Sequence, residues 1–334
     1  MILTLGEGNT PLVGSARIAP TLSFKLEYTN PTGSYKDRFI QRELNSYAAA
    51  PPFVLATSSG NTGASLAAYA ARAGWRCLIC AHPEAPTGKV TQMRAHGATV
   101  VRIPGFSVDA DITTAVFAEL DRWRRAHAVP LVVSAYRYCP AGMAGVESVA
   151  EELAAHAPKH VFVPVGGGGL YVAMVRGFAR LGVNTKVHAV QPAGCATVVD
   201  AWRRQQSQAD VIASTTRISG LSVPSDIDAT LALEHLYANG GLGVAVSDEA
   251  VWTAQRRLLR EEGIFTEPAG AAALAGWLQT TETGLVAPDE SAVCLVTGHG
   301  AKDAVSLEAA AAQVDSPLVL AADLSDFLNR QAHA

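Results

Sequence analysis

Charged side chains are scarce in this chain. Asp, Glu, Lys and Arg make up 17% of its 334 residues, the net charge is −4, and no long basic run occurs. A protein that binds nucleic acid through phosphate contacts carries a basic stripe or patch, so that class of partner has no electrostatic support. Long apolar runs are missing too, although 49% of the residues are hydrophobic. No stretch approaches the roughly 20 apolar residues of a bilayer span, so no membrane association is expected. The start, Met1 to Leu5, lacks a basic segment and runs into Gly6-Glu7-Gly8, so no secretory signal is expected. Five cysteines, an odd number without regular spacing, give no disulfide framework and point to a reducing, cytoplasmic setting.

Several catalytic signatures are absent as well. There is no His-Glu-x-x-His, no Gly-x-Ser-x-Gly elbow, and Gly88-Lys89 is followed by Val90 where a P-loop needs Ser or Thr. Cys77 and Cys80 have metal-like spacing, but they fall on an apolar strand, where residues three apart face opposite ways. They read as buried thiols, and no metal site is expected. His156 and His160 are four apart, but Pro158 between them breaks the helix that would align them.

What is present is a regular alternation. Short apolar runs at 53–57, 75–81, 99–103, 130–135, 160–165, 186–191 and 291–296 alternate with amphipathic or alanine-rich helical stretches. Helices are expected at about 36–49, 63–72, 90–96, 109–127, 146–156, 170–181, 247–262 and 269–278, with further helical stretches at 306–313 and 324–330. Residues 203–245 carry no clear pattern. Continuous apolar strands separated by helices imply an α/β fold with mostly parallel twisted sheets covered on both faces. The length suggests two lobes. Boundaries near 48 and 136 give a smaller lobe of residues 48–135 and a larger one of 1–47 plus 136–334.

In such sheets ligands sit beyond the carboxyl ends of the strands. Four loops there carry chemistry. Asn30-Pro31-Thr32-Gly33-Ser34-Tyr35-Lys36-Asp37-Arg38 places one lysine at the first turn of a helix, with Ser34 and Asp37 spaced as a capping box. The positive end of a helix lowers the pKa of an ammonium, and a neutral amine is what a Schiff-base lysine needs. Ser58-Ser59-Gly60-Asn61-Thr62-Gly63 offers hydroxyls and open N–H groups at a helix start, a natural seat for a carboxylate. Gly166-Gly167-Gly168-Gly169 lets backbone amides close on a phosphate. It is not a dinucleotide fingerprint, because Tyr171 replaces the third glycine and Gln191 the acid at the end of the next strand. Thr297-Gly298-His299-Gly300-Ala301-Lys302-Asp303 puts a hydroxyl at a strand end.

A Schiff-base lysine, a phosphate cradle, a carboxylate loop and a ring-nitrogen partner are the parts of a pyridoxal-phosphate site. The sequence resembles the fold-type II pyridoxal-phosphate enzymes, the tryptophan synthase β-subunit-like superfamily, and within them most resembles the threonine synthases. The resemblance is carried by Gly6–Leu12, Lys25–Arg38, Ser58–Ala70, Gly263–Gly276 and Thr297–Asp303, in order along almost the whole chain. It implies pyridoxal 5'-phosphate as cofactor, a small amino acid as substrate and a homodimer. Lys36 would form the Schiff base and shuttle the α-proton. Gly166, Gly167, Gly168 and Gly169 would hold the cofactor phosphate, Asn61 the 3′-oxygen, and Thr297 would face the pyridine nitrogen. Ser58, Ser59, Gly60 and Thr62 would receive the substrate carboxylate.

Two stretches depart from the threonine synthases. Their phosphate loop usually carries asparagines, whereas four glycines resemble the threonine and serine dehydratases and serine racemases. Their Asn-Pro-Tyr-Arg-x-Glu-Gly segment, whose arginine grips a substrate phosphate, corresponds here to Cys139-Pro140-Ala141-Gly142-Met143-Ala144-Gly145, with Arg137 upstream as a substitute. The chain ends at Ala334, so the C-terminal regulatory domain of biosynthetic threonine deaminases is not expected. Three activities are therefore expected to compete. They are conversion of O-phosphohomoserine to threonine, β-elimination or β-replacement on serine, threonine or an activated serine, and a catalytically silent binding subunit of the same fold.

Overall fold

The computed structural model describes residues 2–106 and 109–332; Met1, Ser107, Val108, His333 and Ala334 lie outside it. The strands are β1 (Leu12–Gly14), β2 (Leu22–Lys25), β3 (Phe53–Ala56), β4 (Arg76–Ala81), β5 (Thr99–Arg102), β6 (Leu131–Val132), β7 (His160–Pro164), β8 (Lys186–Pro192), β9 (Gly243–Val246) and β10 (Ala292–Leu295). The helices are α1 (Lys36–Asn45), α2 (Asn61–Ala73), α3 (Thr87–Ala95), α4 (Ala110–His127), α5 (Pro140–Val146), α6 (Ser148–Ala154), α7 (Gly169–Arg180), α8 (Thr197–Arg203), α9 (Ala229–Asn239), α10 (Asp248–Glu261), α11 (Pro268–Glu282), α12 (Ala304–Ala311) and α13 (Leu324–Ala332).

Two sheets result. One has four strands in the order β5-β4-β3-β6, all parallel; the other has six in the order β1-β2-β10-β7-β8-β9, parallel except for the β1–β2 pair. The expected α/β class with mostly parallel sheets is what the chain forms. Every residue of β7 and β10 is buried. Helix α11 shows why its sequence, PAGAAALAGW, is small and apolar all round. Pro268 to Trp277 are all buried, so the helix fills the interior beside the larger sheet, where only small side chains let the backbone approach.

Three expectations are corrected. Residues 203–245 are not patternless: α9 and β9 lie there, hidden because α9 is apolar on most faces and β9 is only four residues long. The stretch before Val146 is itself a helix, α5, started by Pro140 in its first turn. Ser34 and Asp37 do not form a capping box. Tyr35 is the N-cap of α1 with no side-chain cap, Ser34 pairs its backbone with Gly298, and its hydroxyl is buried without a partner. Asp37 is claimed instead by the Thr32 N–H and hydroxyl, at 2.7 and 2.5 Å, and by the Ser65 hydroxyl at 2.5 Å. By contrast, Ser247 caps α10 by accepting from the Ala250 N–H.

At the amino ends of β7 and β8, His160 and His188 form a buried pair, Nδ1 to Nε2 at 2.8 Å. The Leu242 N–H donates to His188 Nδ1, so His188 donates through Nε2 to His160, whose own Nε2 faces Glu290 at 2.7 Å. Each ring nitrogen then has one role, and a second proton on His188 has no acceptor. Burial, reinforced by the nearby His160 and Lys186, lowers His188 to about 3. The unfolded chain takes up this proton near pH 6.5, so stability is complete above that value and falls as pH drops toward 3. In thermal melts, His188→Gln is expected to lose about 1–3 kcal/mol at pH 7.5 through the broken relay. Its midpoint should also decline less steeply than wild type between pH 6.5 and 4.5. Parallel declines would show that another group sets the acid limit.

Candidate active site

The lysine loop is held from beneath by charge. Arg38, 4% exposed, donates to both oxygens of the fully buried Glu27 at 2.8 Å and to both oxygens of Glu152, at 2.5 and 2.9 Å. Lys25 donates to Glu152 and to the Thr10 carbonyl, and the Thr10 hydroxyl donates to Glu27 at 2.6 Å. Asn30 joins them through Glu27 and the Gly8 N–H. Burial alone would raise the Glu152 carboxyl, but hydrogen bonds from Arg38 and Lys25 overcome it and hold it at about 2. Two sequence stretches, Gly6–Leu12 and Lys25–Arg38, are thus bolted together around one guanidinium.

Lys36 opens α1, and its amine donates to the Ser134 hydroxyl at 2.5 Å. Burial lowers this amine to about 7, against the opposing pull of Asp228. Desolvation is therefore the cause of the depression, in place of the helix end expected from sequence. Backbone contacts bring the other loops to it. The Tyr35 N–H donates to the Thr297 carbonyl, Ser34 bridges to Gly298, and the Ser134 carbonyl lies against Gly169.

Neither helix that starts at a candidate loop has a side-chain cap. Helix α2 begins after Gly60 and α7 after Gly168, which sits at φ 102°. The Ser58 hydroxyl accepts only from the Gly60 N–H within its loop, and Thr62 is buried. Two of the four glycines serve the fold as well as any ligand. A Cβ on Gly166 would meet the Gly220 carbonyl at 2.8 Å, and one on Gly168 the Asp228 carbonyl at 2.5 Å. Residues 220–228 therefore press backbone to backbone on the loop. Gln191, where a dinucleotide site would carry its acid, instead accepts from the Val198 and Val199 N–H groups and caps α8.

Sequence reasoning missed Ser134, Glu267, Lys89 and Asp228. Asn61 Nδ2 donates to Glu267 Oε1 at 2.6 Å, and Lys89 Nζ lies 2.8 Å from the other oxygen. Asp228 accepts from the Tyr136 and Arg137 N–H groups. The usable signal for Glu267 was a lone carboxylate inside GIFTEPAGAAALAG, which an apolar run must bury. Arg137 lines a cavity of about 410 Å³ with Tyr136, Arg176 and Asp228. The Arg176 guanidinium stacks 4.4 Å over the Tyr136 ring, and Arg137 lies 5.8 Å from that of Tyr138. Among the described residues neither guanidinium lies within ion-pair distance of a carboxylate, although Arg176 Nε donates to His235 Nε2 at 3.1 Å and its charge acts on Asp228. At Gly142 there is no room for a side chain, since a Cβ would lie 2.6 Å from the Phe39 ring.

A neutralisable amine, two uncapped helix starts and the buried, unpartnered Asn61 Oδ1 form a donor and acceptor set that fits an aldehyde-bearing ring phosphate. An α/β fold with such a set at its strand ends is that of a vitamin B6 enzyme. Residues 3–298 match the family described as pyridoxal-phosphate dependent enzymes. The chain is 32% identical to a threonine synthase of Methanocaldococcus jannaschii, covering 97% of this chain and 82% of that one. It is 34% identical to a threonine synthase of Mycobacterium bovis, covering 90% and 84%. The solved structure of a T.th. threonine deaminase superposes with a TM-score of 0.74 at 25% identity, covering 87% and 92%. The chain belongs to this family: it is a fold-type II pyridoxal-phosphate-dependent lyase of threonine synthase-like sequence. Among the described residues no helix is long and apolar enough to cross a membrane.

Two outcomes are expected. An amine at about 7 is half neutral at neutral pH. Capture of pyridoxal phosphate by the cofactor-free protein, followed by stopped-flow absorbance, should accelerate up to about pH 7 and then level. Acceleration continuing beyond pH 9 would mean an ordinary amine. Gly168→Ala forces Cβ into a φ of 102°, at about 1–3 kcal/mol. It should weaken cofactor binding at least tenfold in an equilibrium titration, while unchanged affinity would exclude the loop as the phosphate seat.

Proposed function

We propose that this enzyme eliminates and replaces a side-chain group on a small amino acid, and that its leading reaction is O-phosphohomoserine to threonine. Phosphate leaves Cγ and water adds at Cβ. The observation that carries the phosphorylated substrate is the pair of guanidiniums without ion-pair partners, Arg137 and Arg176, on one cavity next to the Asp228 and Ser134 surroundings of Lys36. A dianionic leaving group needs charge-assisted donors, and arginine supplies them in a fork. Similarity to threonine synthases over about nine-tenths of the chain supports the same reading.

In this proposal Lys36 Nζ holds the cofactor, takes the proton from the substrate Cα and returns it. Its depressed pKa leaves it neutral enough to do so at pH 7. Bound pyridoxal phosphate supplies the electron sink. Gly166 to Gly169 and the start of α7 would hold the phosphate, Asn61 the 3′-oxygen, and the Thr297 hydroxyl would serve the ring nitrogen without forcing a proton onto it, which would favour elimination over transamination. Ser58, Ser59, Gly60, Thr62 and the open start of α2 orient the substrate carboxylate. We further place the lobe boundary at residues 48 and 136, with the smaller lobe closing on the substrate. The protein is proposed to work as a cytoplasmic homodimer.

A second reading has its own observation. Gly142, where the threonine synthases resembled by this chain carry an arginine, is sealed by Phe39, which favours β-elimination or β-replacement on serine, threonine or an activated serine. The loaded enzyme, given O-phosphohomoserine, should release phosphate and threonine, and Arg137→Ala should raise KM at least tenfold with kcat little changed. No phosphate, with 2-oxo acid or a replacement product from L-serine, L-threonine or O-phosphoserine, would transfer the protein to the second reading. A silent binding subunit would turn over none of these, although Lys36 is in place.

A further inference from the structure

The Glu267–Lys89 ion pair is sealed inside the protein, with side-chain exposures of 2% and 0%. Such a pair gives up the hydration of both charges, and an apolar pair of equal volume usually serves stability as well. Its position suggests another task. Glu267 comes from the N-cap of α11 and Lys89 from α3, so the contact spans the two sheets' helices. The Glu267 oxygen that does not face Lys89 accepts from Asn61 Nδ2 at 2.6 Å, at the start of α2. Asn61 Oδ1 is buried and has no partner. Any side chain at Gly298, next to Thr297, would collide with Glu267 Oε1 and lie 3.1 Å from Asn61 Nδ2. The carboxylate and the amide are therefore packed directly on the loop that carries Thr297.

A carboxylate accepts from an NH2 group and repels a carbonyl oxygen. With Glu267 ionised, the Asn61 amide has one orientation; with a neutral amide in its place, both are satisfied. We infer that Glu267, charge-balanced by Lys89, is a positioning residue that locks the Asn61 amide, so that its oxygen and its remaining N–H keep fixed places toward the cofactor. This rests on the proposal that Asn61 meets the cofactor ring at its 3′-oxygen. Glu267 reaches the proposed cofactor contact through Asn61, while its charge also acts on Lys302, Tyr35 and His299. Lys89 has the separate task of making a buried carboxylate tolerable, and it reaches Ser219 Oγ at 3.3 Å as its second partner.

The two tasks separate experimentally. The dissociation constant of pyridoxal phosphate is measured by fluorescence quenching, the ratio of near-ultraviolet to visible cofactor bands by absorbance, and folding by thermal melts. Glu267→Gln is expected to weaken binding a few-fold and to change the band ratio. Lys89→Met alone strands a buried carboxylate and should lower the melting temperature sharply. The double variant K89M/E267Q should regain most of the wild-type melting temperature but keep the weak binding and altered ratio. It also serves as the background if Glu267→Gln alone does not fold. In an Asn61→Ala background, Glu267→Gln should cause no further loss. Wild-type affinity and band ratio in K89M/E267Q would overturn the inference and leave a structural ion pair. A loss caused by Glu267→Gln in the Asn61→Ala background would overturn the route through Asn61. Wild-type protein that binds cofactor, with affinity and bands unchanged in Asn61→Ala, would overturn the site assignment beneath it.

Discussion

The lysine proposed to hold the cofactor, Lys36, stands on a buried guanidinium. Arg38, just beyond Lys36 on α1, is fixed by four charged hydrogen bonds to Glu27 and Glu152. These acids arrive from opposite directions, Glu27 just after β2 and Glu152 from α6. Lys25 adds a second cation, so the cluster is two against two and close to neutral. Removing one member strands the others in a medium that cannot hydrate them, and broken buried pairs typically cost about 3–5 kcal/mol. The geometry of α1 at its first turn is thus set by electrostatics under it, and Asp37 adds a neutral-donor clamp from Thr32 and Ser65. With its base fixed, the lysine side chain needs only one hydroxyl, that of Ser134, to direct it.

Distant segments shape the glycine loop in the same way. Backbone carbonyls of residues 220 and 228 occupy the space that side chains at 166 and 168 would take. That contact also brings Asp228 toward Lys36, where its carboxylate moderates the depression of the amine. Asp228 is in turn kept by two N–H groups, from Tyr136 and Arg137, so the segment that shapes the glycine loop also meets the chain at Arg137. The loop, the acid and the basic cavity are one mechanical unit.

Much of this was legible. Alternating apolar runs and glycine stops marked most strands and helices, because those signals are local. Lys36 could be singled out since a lysine in a turn-rich loop at a helix start is chemically out of place. What was not legible depends on contacts between distant residues. Ser134 is 98 positions from Lys36, and Glu267 is 206 from Asn61. Nothing in a local window says that Ser34 will face Gly298 and lose its capping role. The cause of the amine's low pKa was misread for the same reason: a helix end is visible in sequence, whereas burial is made by the whole fold. Residues 203–245 escaped because a short strand and a helix apolar on most faces display little periodicity.

The basic cavity lies close to a position, Gly142, that has no room for a side chain. At Gly142 the backbone N–H donates to Glu43, and Phe39 fills the space beyond the Cα. An arginine there would need α1 and α5 to separate, and they pack against each other closely. Positive charge can enter this region only from a neighbouring element. Arg137, in the turn before α5, and Arg176, on α7, do so from two sides, each leaning on a tyrosine ring. Asp226 and Asp228, the nearby carboxylates, are occupied by Thr230 and by backbone N–H groups. Cationic charge beside acids that are already engaged is the electrostatic condition the proposed anionic substrate group would require, and the packing at Gly142 leaves neighbouring elements to supply it.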